Sequence, residues 1–202
     1  MHHRNPHHSG WIEVICGSMF SGKTEELIRR IRLAEIARQK VILFKPTMDD
    51  RFSQTHVVSH DQRKIRALPA NDTREIVELA RAYEVVGIDE AQFFGMPLVA
   101  ACQQLADEGK RVIVSGLDQD YRGEPFEPIP QLLAIAESIT KNLAICVVCG
   151  APANRNQRLT ASKERVVLGG HDAYEARCRR CHRVDLVDMD EASPLPLSIA
   201  DA

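Results

Sequence analysis

A glycine-rich loop near the start of the chain restricts the fold more than any other feature. Residues 17–24 read Gly-Ser-Met-Phe-Ser-Gly-Lys-Thr, between an apolar run at 11–16 and a helical pattern at 23–39. The pattern G-x-x-x-x-G-K-[ST] forms a phosphate-binding loop when it joins a strand to a helix in this way. The alternative is a simple glycine turn followed by an ordinary lysine, and the complete motif in its context argues against it.

The residue types in this loop suit a polyphosphate. Gly17 and Gly22 can adopt backbone angles that turn successive N–H groups inward, and the N-terminus of the following helix adds donors and positive dipole. The Lys23 amino group is a mobile charge for the β- and γ-phosphates, and the Thr24 hydroxyl is a ligand for Mg²⁺. The sequence therefore predicts a nucleoside triphosphate site formed by Gly17, Ser18, Met19, Phe20, Ser21, Gly22, Lys23 and Thr24.

Over the first two-thirds of the chain, short apolar runs alternate with amphipathic helical patterns. Continuous apolar strands are typical of a parallel sheet covered on both faces. The alternation predicts an α/β fold of the P-loop NTPase (RecA-like) type, a parallel sheet with helices on both faces. The predicted strands are 11–16, 40–44, 85–89, 111–116 and 138–144, and the predicted helices are 23–39, 73–82, 96–109 and 129–137.

The same patterns divide the chain into segments. Residues 1–10 are rich in histidine and have no apolar core, so we expect a disordered leader, of which a tag is one possible origin. We expect a P-loop α/β domain over 11–144, a smaller zinc-binding lasso domain over 145–190 and a flexible tail over 191–202. The polar stretch 47–67 fits either a mobile loop or a short hairpin.

Composition argues against several classes of function. The 202 residues include 26 Lys and Arg against 28 Asp and Glu, so no basic excess favours nucleic acid, and we expect no stable nucleic-acid partner. No apolar run approaches the roughly 20 residues that span a bilayer, and the N-terminus lacks the apolar core of a secretory signal. We therefore expect a cytoplasmic protein with no membrane partner.

An acidic pair follows the third predicted strand. Asp89 comes at the end of the apolar run Val-Val-Gly-Ile, and Glu90 is the next residue. Such a pair is often only a solvated turn, but a nucleotide site requires a metal partner and Asp89 is the best candidate for binding Mg²⁺. Glu90 would then face the crevice, where a carboxylate can accept a proton from an attacking hydroxyl group or water.

Two CxxC pairs near the C-terminus predict a metal site. Cys146 and Cys149 form one pair and Cys178 and Cys181 the other, and in a reducing cytosol such pairs bind metal more often than they form disulfides. Four thiolates would give a closed, structural zinc site. A redox dithiol and a nucleic-acid zinc ribbon are the rival interpretations, and His182 is an alternative ligand to Cys181.

The segment between the two cysteine pairs has two interpretations of equal weight. It contains Gly169-Gly170 between short apolar stretches, followed by Tyr174. The backbone of this segment could lie against the polar edge of a flat base, with Tyr174 as a wall or a hydroxyl donor. A plain hairpin over the zinc site explains the same residues.

Together these motifs resemble those of the type II (cytosolic-type) thymidine kinase family. The resemblance covers about residues 12–184 and rests on six motifs in the same order. They are the loop 17–24; Lys45-Pro46 with Asp49 and Arg51; Asp89 to Phe94; Gly116-Leu117-Asp118 with Tyr121, Pro125 and Phe126; both CxxC pairs; and Gly169-Gly170 with Tyr174.

The resemblance implies transfer of the γ-phosphate of ATP to the 5′-hydroxyl of thymidine or deoxyuridine by a homotetramer, with feedback inhibition by dTTP. It makes Glu90 the catalytic base and Asp89, with Thr24, the Mg²⁺ ligands, and it adds Asp89, Glu90, Ala91 and Gln92 to the nucleotide site. The implied thymidine-binding residues, which include a substrate lid, are Met19, Phe93, Leu117, Tyr121, Phe126, Val167, Leu168, Gly169, Gly170 and Tyr174.

Two positions depart from the family pattern, and both bear on substrate range rather than on catalysis. Ala91 stands where glycine is frequent, so its methyl group would affect the backbone beside Glu90. Tyr121 stands where phenylalanine is common, so its hydroxyl would need a polar partner.

Two other functions remain as alternatives. A P-loop ATPase would hydrolyse ATP when stimulated by nucleic acid, and a zinc-ribbon module would bind DNA or RNA in a salt-dependent way.

Overall fold

The computed structural model describes residues 9–47, 56–58, 64–162, 164–167 and 169–184. The helices are α1 (Lys23–Ile36), α2 (Thr73–Leu79), α3 (Pro97–Asp107) and α4 (Ile129–Ile135), with 3₁₀ turns at Ala80–Ala82 and Ala91–Phe94. The strands are β1 (Trp11–Gly17), β2 (Val41–Pro46), β3 (His56–Val58), β4 (Lys64–Arg66), β5 (Leu68–Ala70), β6 (Val85–Ile88), β7 (Arg111–Gly116), β8 (Ser138–Asn142), β9 (Ala144–Ile145), β10 (Pro152–Ala153), β11 (Arg155–Arg158) and β12 (Tyr174–Arg177).

Six of these strands form one parallel sheet in the order β5-β2-β6-β7-β1-β8. Side chains alternate between its faces, so that Val14 and Val112 pack on one side while Ile15 and Ile113 pack on the other. Helix α1 covers the face of Ile15, and α2, α3 and α4 cover the opposite face. The predicted α/β fold of P-loop type, with helices on both faces of a parallel sheet, is confirmed.

Local sequence explains how two of the helices are placed. Asp72 caps α2, because its carboxylate accepts hydrogen bonds from the backbone N–H groups of Arg74 at 2.8 Å and Glu75 at 3.0 Å. Gly87 lets α1 approach the sheet, because a Cβ atom there would lie 2.9 Å from Ile31 Cδ1 and 2.7 Å from Leu43 Cδ1. A side chain at position 87 would require the side chains of Ile31 and Leu43 to shift.

Several element boundaries differ from the predicted ones. The predicted helix 23–39 ends at Ile36, because Arg38 adopts a left-handed backbone conformation with φ of 60°. The predicted strand 138–144 divides into β8 and β9, because the chain leaves the main sheet there and pairs with β10 instead. The edge strand β5 is absent from the predicted strands, since its three residues include Pro69, which gives no strand signal but is tolerated at a sheet edge.

The polar stretch 47–67 is predicted to be either a mobile loop or a short hairpin, and its described residues include a short hairpin. Strands β3 and β4 pair antiparallel, with His56 opposite Arg66. Residues 48–55 and 59–63 of this stretch lie outside the described part of the chain, as do residues 1–8 of the predicted leader and all of the predicted tail.

The C-terminal part of the chain forms two small antiparallel sheets, β9 with β10 and β11 with β12. They share a small core of Ala144, Cys146, Ala153, Ala176 and Cys178, and Phe20 of the glycine-rich loop packs against it. The division at residues 144 and 145 into two domains stays a prediction. Among the described residues, no helix has the length and apolar character needed to cross a membrane.

A buried ion cluster is centred on Glu13 of β1. Glu13 is 6% exposed, and its carboxylate accepts hydrogen bonds from Arg30 at 2.7 Å, Arg111 at 2.6 Å and Trp11 Nε1 at 2.7 Å. Burial alone would raise the pKa of Glu13, but the hydrogen bonds from Arg111, Trp11 and Arg30 outweigh it and hold the pKa below its usual value. The cluster ties α1 and β7 to the strand that precedes the glycine-rich loop.

We expect Glu13→Gln to lower the free energy of unfolding by about 3 kcal/mol at pH 7, because two buried guanidinium groups lose their shared carboxylate. The pKa of Glu13 is lowered in the folded state, so its contribution is present above the unfolded value of 4.5 and is lost as pH falls below it. Urea denaturation from pH 7 down to about pH 3 measures this. Glu35→Gln, at an exposed position of α1, is the control and should cost less than about 1 kcal/mol; equal losses would contradict the assignment.

Candidate active site

The carboxyl ends of the central strands bring the predicted nucleotide-binding residues to one edge of the sheet. Strand β1 lies between β7 and β8, with Cys16 opposite Gly116 on one side and Lys141 on the other. The glycine-rich loop follows β1, and the acidic pair follows β6, which adjoins β7. Crevices at the carboxyl ends of parallel strands are the usual ligand sites of such sheets.

The glycine-rich loop has the backbone that its sequence predicts. Gly17 and Gly22 adopt positive φ angles of 141° and 77°, and Phe20 between them has φ of 62°. A Cβ atom on Gly17 would lie 2.2 Å from the carbonyl oxygen of Asn142 in β8. The loop therefore needs glycine at position 17 both for its angle and for its close approach to the neighbouring strand.

Lys23 lies over the loop and faces several carboxylates. Its Nζ donates a hydrogen bond to the carbonyl of Ser18 at 2.8 Å. Burial lowers the pKa of Lys23, and the charges of Glu90, Asp89 and Asp118 oppose this effect. The carboxylate of Asp118 also accepts from Lys141 Nζ at 2.6 Å. This edge of the sheet thus holds an amino group among carboxylates, which suits the binding of a metal–phosphate group.

Thr24 and Asp89 are neighbours, as a shared magnesium ion requires. The Thr24 hydroxyl donates to Asp89 Oδ2 at 3.4 Å, and Asp89 is 5% exposed. Burial and the adjacent charge of Glu90 raise the pKa of the Asp89 carboxyl above its usual value. The two oxygen atoms suit Mg²⁺, and a bound cation would favour the ionised form of Asp89.

Gln92 connects Glu90 with the strand on the other side of the site. Glu90 adopts a left-handed conformation with φ of 49°, and its Oε2 accepts from Gln92 Nε2 at 2.6 Å. Gln92 Oε1 accepts in turn from the backbone N–H of Leu117 at 3.1 Å. The buried amide of Gln92 therefore fixes the Glu90 carboxylate relative to the segment that follows β7.

Four of the ten predicted thymidine-binding residues meet in one apolar cluster. The cluster consists of Tyr121, Ala173 and Tyr174, with Met19, Phe20 and Val167 packed against them. Residues from the glycine-rich loop, the segment after β7 and the segment between the cysteine pairs therefore form a single wall. Aromatic and apolar side chains of this kind suit a flat, neutral base.

The other predicted thymidine-binding residues lie around this cluster. Leu117 and Phe93 are half-buried and are connected to the acidic pair through Gln92 and the carbonyl of Glu90, to which Phe93 donates its N–H at 3.1 Å. Phe126 packs under the guanidinium of Arg165, 4.8 Å from its ring centre. Gly170 turns the chain back, because its carbonyl accepts from the N–H groups of Ala173 and Tyr174. Gly169 precedes this turn, and Leu168 lies outside the described residues.

The two departures from the family pattern have local explanations. The hydroxyl of Tyr121 accepts a hydrogen bond from Arg122 Nε at 3.0 Å, which is the polar partner that the sequence requires. Ala91 is fully buried and its methyl group packs into the main core. The left-handed residue is Glu90, and Ala91 itself begins the 3₁₀ turn, where alanine is sterically acceptable.

The two CxxC pairs come together as a potential metal site. The Sγ atoms of Cys146, Cys149, Cys178 and Cys181 all lie within 4.8 Å of one another. Burial would raise the pKa of Cys146, but backbone N–H donors of Cys178, Val148 and Cys149 outweigh it and lower that pKa to about 6. His182, the alternative ligand, instead donates from Nε2 to the carbonyl of Tyr121 at 2.8 Å.

Strand β11 is the part of the site that the sequence does not reveal. All four of its side chains, Arg155, Asn156, Gln157 and Arg158, are buried although all are polar. Asn156 Oδ1 accepts from the N–H of Met19 at 2.7 Å, and its Nδ2 donates to the carbonyl of Gln119 at 2.8 Å. The only signal in the sequence is an unbroken run of long hydrogen-bonding side chains, which is normally typical of a solvated loop.

A second unpredicted contact joins the glycine-rich loop to residues between the cysteine pairs. The rings of Phe20 and His171 stack with centroids 4.0 Å apart and planes 14° apart. A cavity of about 230 Å³ lies beside this stack and is lined by Phe20, Ala144, Ile145, Val147, His171, Glu175 and Ala176. Because the stack joins residues 151 positions apart, local sequence patterns do not reveal it.

Comparison with known proteins finds similarity over most of the chain. The family model for thymidine kinase matches residues 10–182 of the chain. The chain is 66% identical over 172 residues to a protein named thymidine kinase from Rhodothermus sp. (strain ITI 518), which covers 85% of this chain and 81% of that protein. It is also 57% identical over 175 residues to one of the same name from Bdellovibrio bacteriovorus, covering 86% of each.

We expect Asn156→Ala to lower the free energy of unfolding by about 2 kcal/mol, because the variant leaves the N–H of Met19 and the carbonyl of Gln119 without their partner. Urea denaturation measures the loss. Asn71→Ala is the matched control and should cost less than about 1 kcal/mol, because its side-chain hydrogen bonds with Thr47 and Glu75 are exposed to solvent. If the two variants are equally stable, Asn156 does not hold the glycine-rich loop.

Proposed function

Because the chain belongs to the thymidine kinase family, we propose that it transfers the γ-phosphate of ATP to the 5′-hydroxyl of thymidine, giving dTMP and ADP. Deoxyuridine is the second proposed acceptor. The reaction would serve pyrimidine deoxynucleotide salvage for DNA synthesis. The observation that carries the proposal is the position of Lys23 and Thr24 beside Asp89 and Glu90, at the end of the apolar wall formed by Tyr121 and its neighbours.

The phosphate site would be formed by the loop 17–24 together with Asp89, Glu90, Ala91 and Gln92. Lys23 would bind the β- and γ-phosphates, and its partly desolvated amino group favours a negatively charged ligand. Mg²⁺, bound by Thr24 and Asp89, would neutralise charge on the phosphates. Phosphoryl transfer depends mainly on such positioning and charge neutralisation rather than on covalent chemistry by the protein.

Glu90 would act as the general base. The 5′-hydroxyl oxygen forms a bond to the γ-phosphorus, the bond between that phosphorus and the bridging oxygen of ADP breaks, and the hydroxyl proton passes to the Glu90 carboxylate. The hydrogen bond from Gln92 Nε2 to Oε2 would hold this carboxylate in position to accept the proton. Closure of the segment between the cysteine pairs would exclude water, which competes for the phosphoryl group.

Thymidine would bind between the apolar cluster and the segment 167–170. Met19, Phe93, Leu117, Tyr121 and Phe126 would surround the base, and the backbone of Val167, Leu168, Gly169 and Gly170 would bind its polar edge. Tyr174 would contact the sugar. The shared cluster of Met19, Tyr121, Val167 and Tyr174 supports this assignment.

We propose that the four-cysteine site holds a structural zinc ion. The donor set of four thiols in a closed cluster is one that zinc prefers, and Cys181 rather than His182 completes it. A reducing compartment keeps the thiols available for metal, so the cytoplasm is the proposed location. Family membership also supports a homotetramer that is inhibited by dTTP.

We expect Glu90→Gln to lower kcat about 100-fold or more while ATP binding persists, because only the proton acceptor is lost. The protein receives ATP, Mg²⁺ and an equimolar panel of nucleosides, and mass spectrometry detects the monophosphates formed. Glu78→Gln, on the exposed side of α2, is the matched control. Near-normal turnover by Glu90→Gln would remove Glu90 from the role, and ATP consumption without any nucleotide product in the wild type would reject the kinase assignment.

We expect Cys146→Ser to lose zinc and to weaken thymidine binding, because the metal site anchors β12 and the segment before it. Elemental analysis would give about one zinc ion per wild-type chain and much less in the variant. Cys102→Ala, in the core of the main sheet, should retain the metal. Unchanged thymidine affinity in a zinc-free variant would break the connection between the metal and the nucleoside site.

A further inference from the structure

Arg158, the last residue of β11, makes an unusual set of contacts for a buried cation. Its side chain is 3% exposed, and the guanidinium donates hydrogen bonds to the backbone carbonyls of Ser162 at 3.1 Å, Glu164 and Arg165 at 3.1 Å. Nη2 also donates to the hydroxyl of Tyr174 at 2.8 Å. One side chain thus binds three carbonyls and a phenol of the segment 159–174, which is called the lid below.

The same guanidinium contacts the wall of the site. Its central carbon lies 3.6 Å from the ring centre of Tyr121 and 5.4 Å from that of Tyr174. Within the described part of the chain, no carboxylate forms an ion pair with Arg158. Its charge is therefore balanced by carbonyl dipoles and aromatic faces, which exist in this arrangement only while the lid is folded against Tyr121.

Arg158 is also connected indirectly to two other parts of the site, through Tyr174 and through Arg165. The hydroxyl of Tyr174 donates to the carbonyl of Val167 at 3.0 Å, so Arg158 is one hydrogen bond away from the residues proposed to read the base. Arg165, whose carbonyl Arg158 binds, pairs through its own side chain with Asp120 at 3.2 Å and covers Phe126. Arg158 is thus connected to Val167 through Tyr174 and to Phe126 through Arg165.

We propose that Arg158 is a positioning residue that sets the lid in its nucleoside-binding conformation, an inference that rests on the proposed kinase function. It touches neither reacting atoms nor phosphate in this assignment, and it acts through Tyr121, Tyr174 and the lid backbone. Lysine cannot replace it, because a lysine ammonium lacks the planar fork that binds several carbonyls while stacking on a ring.

The test is Arg158→Lys, which keeps the charge and removes the fork. We expect the KM for thymidine to rise about tenfold or more, with kcat and the KM for ATP within about twofold, because the lid rather than the phosphate site is altered. Arg183→Lys is the matched control, since Arg183 is exposed and, among the described residues, its side chain donates only to the carbonyls of Arg180 and His182. A parallel fall in kcat with an unchanged KM for thymidine would overturn the proposal.

Hydrogen exchange in the absence of nucleoside gives a second, independent measurement. The amides of Leu159, Val167 and Tyr174 bond to acceptors within the lid and should exchange faster in Arg158→Lys than in the wild type, while zinc content stays unchanged. If that variant fails to fold, Tyr174→Phe removes the hydroxyl that accepts from Arg158 and should speed exchange at Leu159, whose own acceptor, the carbonyl of Ala173, is unchanged. Unchanged exchange in the folded variants would overturn the proposal.

The two measurements separate this inference from the proposed function. Absence of dTMP formation by the wild type would reject the kinase assignment, whereas lid exchange would still report whether Arg158 holds the lid. A wild type that phosphorylates thymidine, together with an Arg158→Lys variant of unchanged thymidine KM, would reject the role of Arg158 alone.

Discussion

The parallel pairing of β1 with β7 and β8 is the constraint on which the whole site depends. Because neighbouring parallel strands end at the same edge, the loop after β1 lies beside the segments after β7 and β8, with β6 next to β7. Gly17 packs so closely against Asn142 that no side chain fits between them. The buried Glu13 cluster holds β1 to its neighbouring strand β7 and to α1, which covers one face of the sheet.

A second constraint acts between the main sheet and the small C-terminal sheets. Strand β11 places four polar side chains in buried positions, where each must find a partner. Asn156 accepts a hydrogen bond from the N–H of Met19, and Gln157 bonds both backbone groups of Arg183. Arg158 donates to carbonyl groups of the lid, including that of Arg165. Such a strand is destabilising if any partner is missing, so it specifies one arrangement of the glycine-rich loop, the two cysteine pairs and the lid.

Much of this molecule follows from its sequence. The central strands and the four helices appear near their predicted positions, because apolar periodicity records which face of each element is buried. The loop 17–24 and the acidic pair are predictable because glycine, lysine and carboxylate at fixed spacing leave few alternatives. The four cysteines are predictable as a cluster, since paired CxxC turns have few other uses. The edge strand β5 and the division of 138–144 escape prediction, because pairing partners rather than local pattern decide them.

The sequence by itself determined the α/β sheet, the phosphate loop and the cysteine set. Each strand, helix, loop motif and CxxC pair is encoded by residues close together in the chain. Only the tertiary structure decided that Gln92 joins Glu90 to Leu117, that Tyr121 meets Tyr174, and that Arg158 lies buried among lid carbonyls. No sequence pattern predicts these contacts, because the partners belong to different segments of the chain. From sequence alone, a polar run such as Arg155–Arg158 predicts a solvated segment. Its burial is tolerated only because donors and acceptors from distant parts of the chain form hydrogen bonds with it.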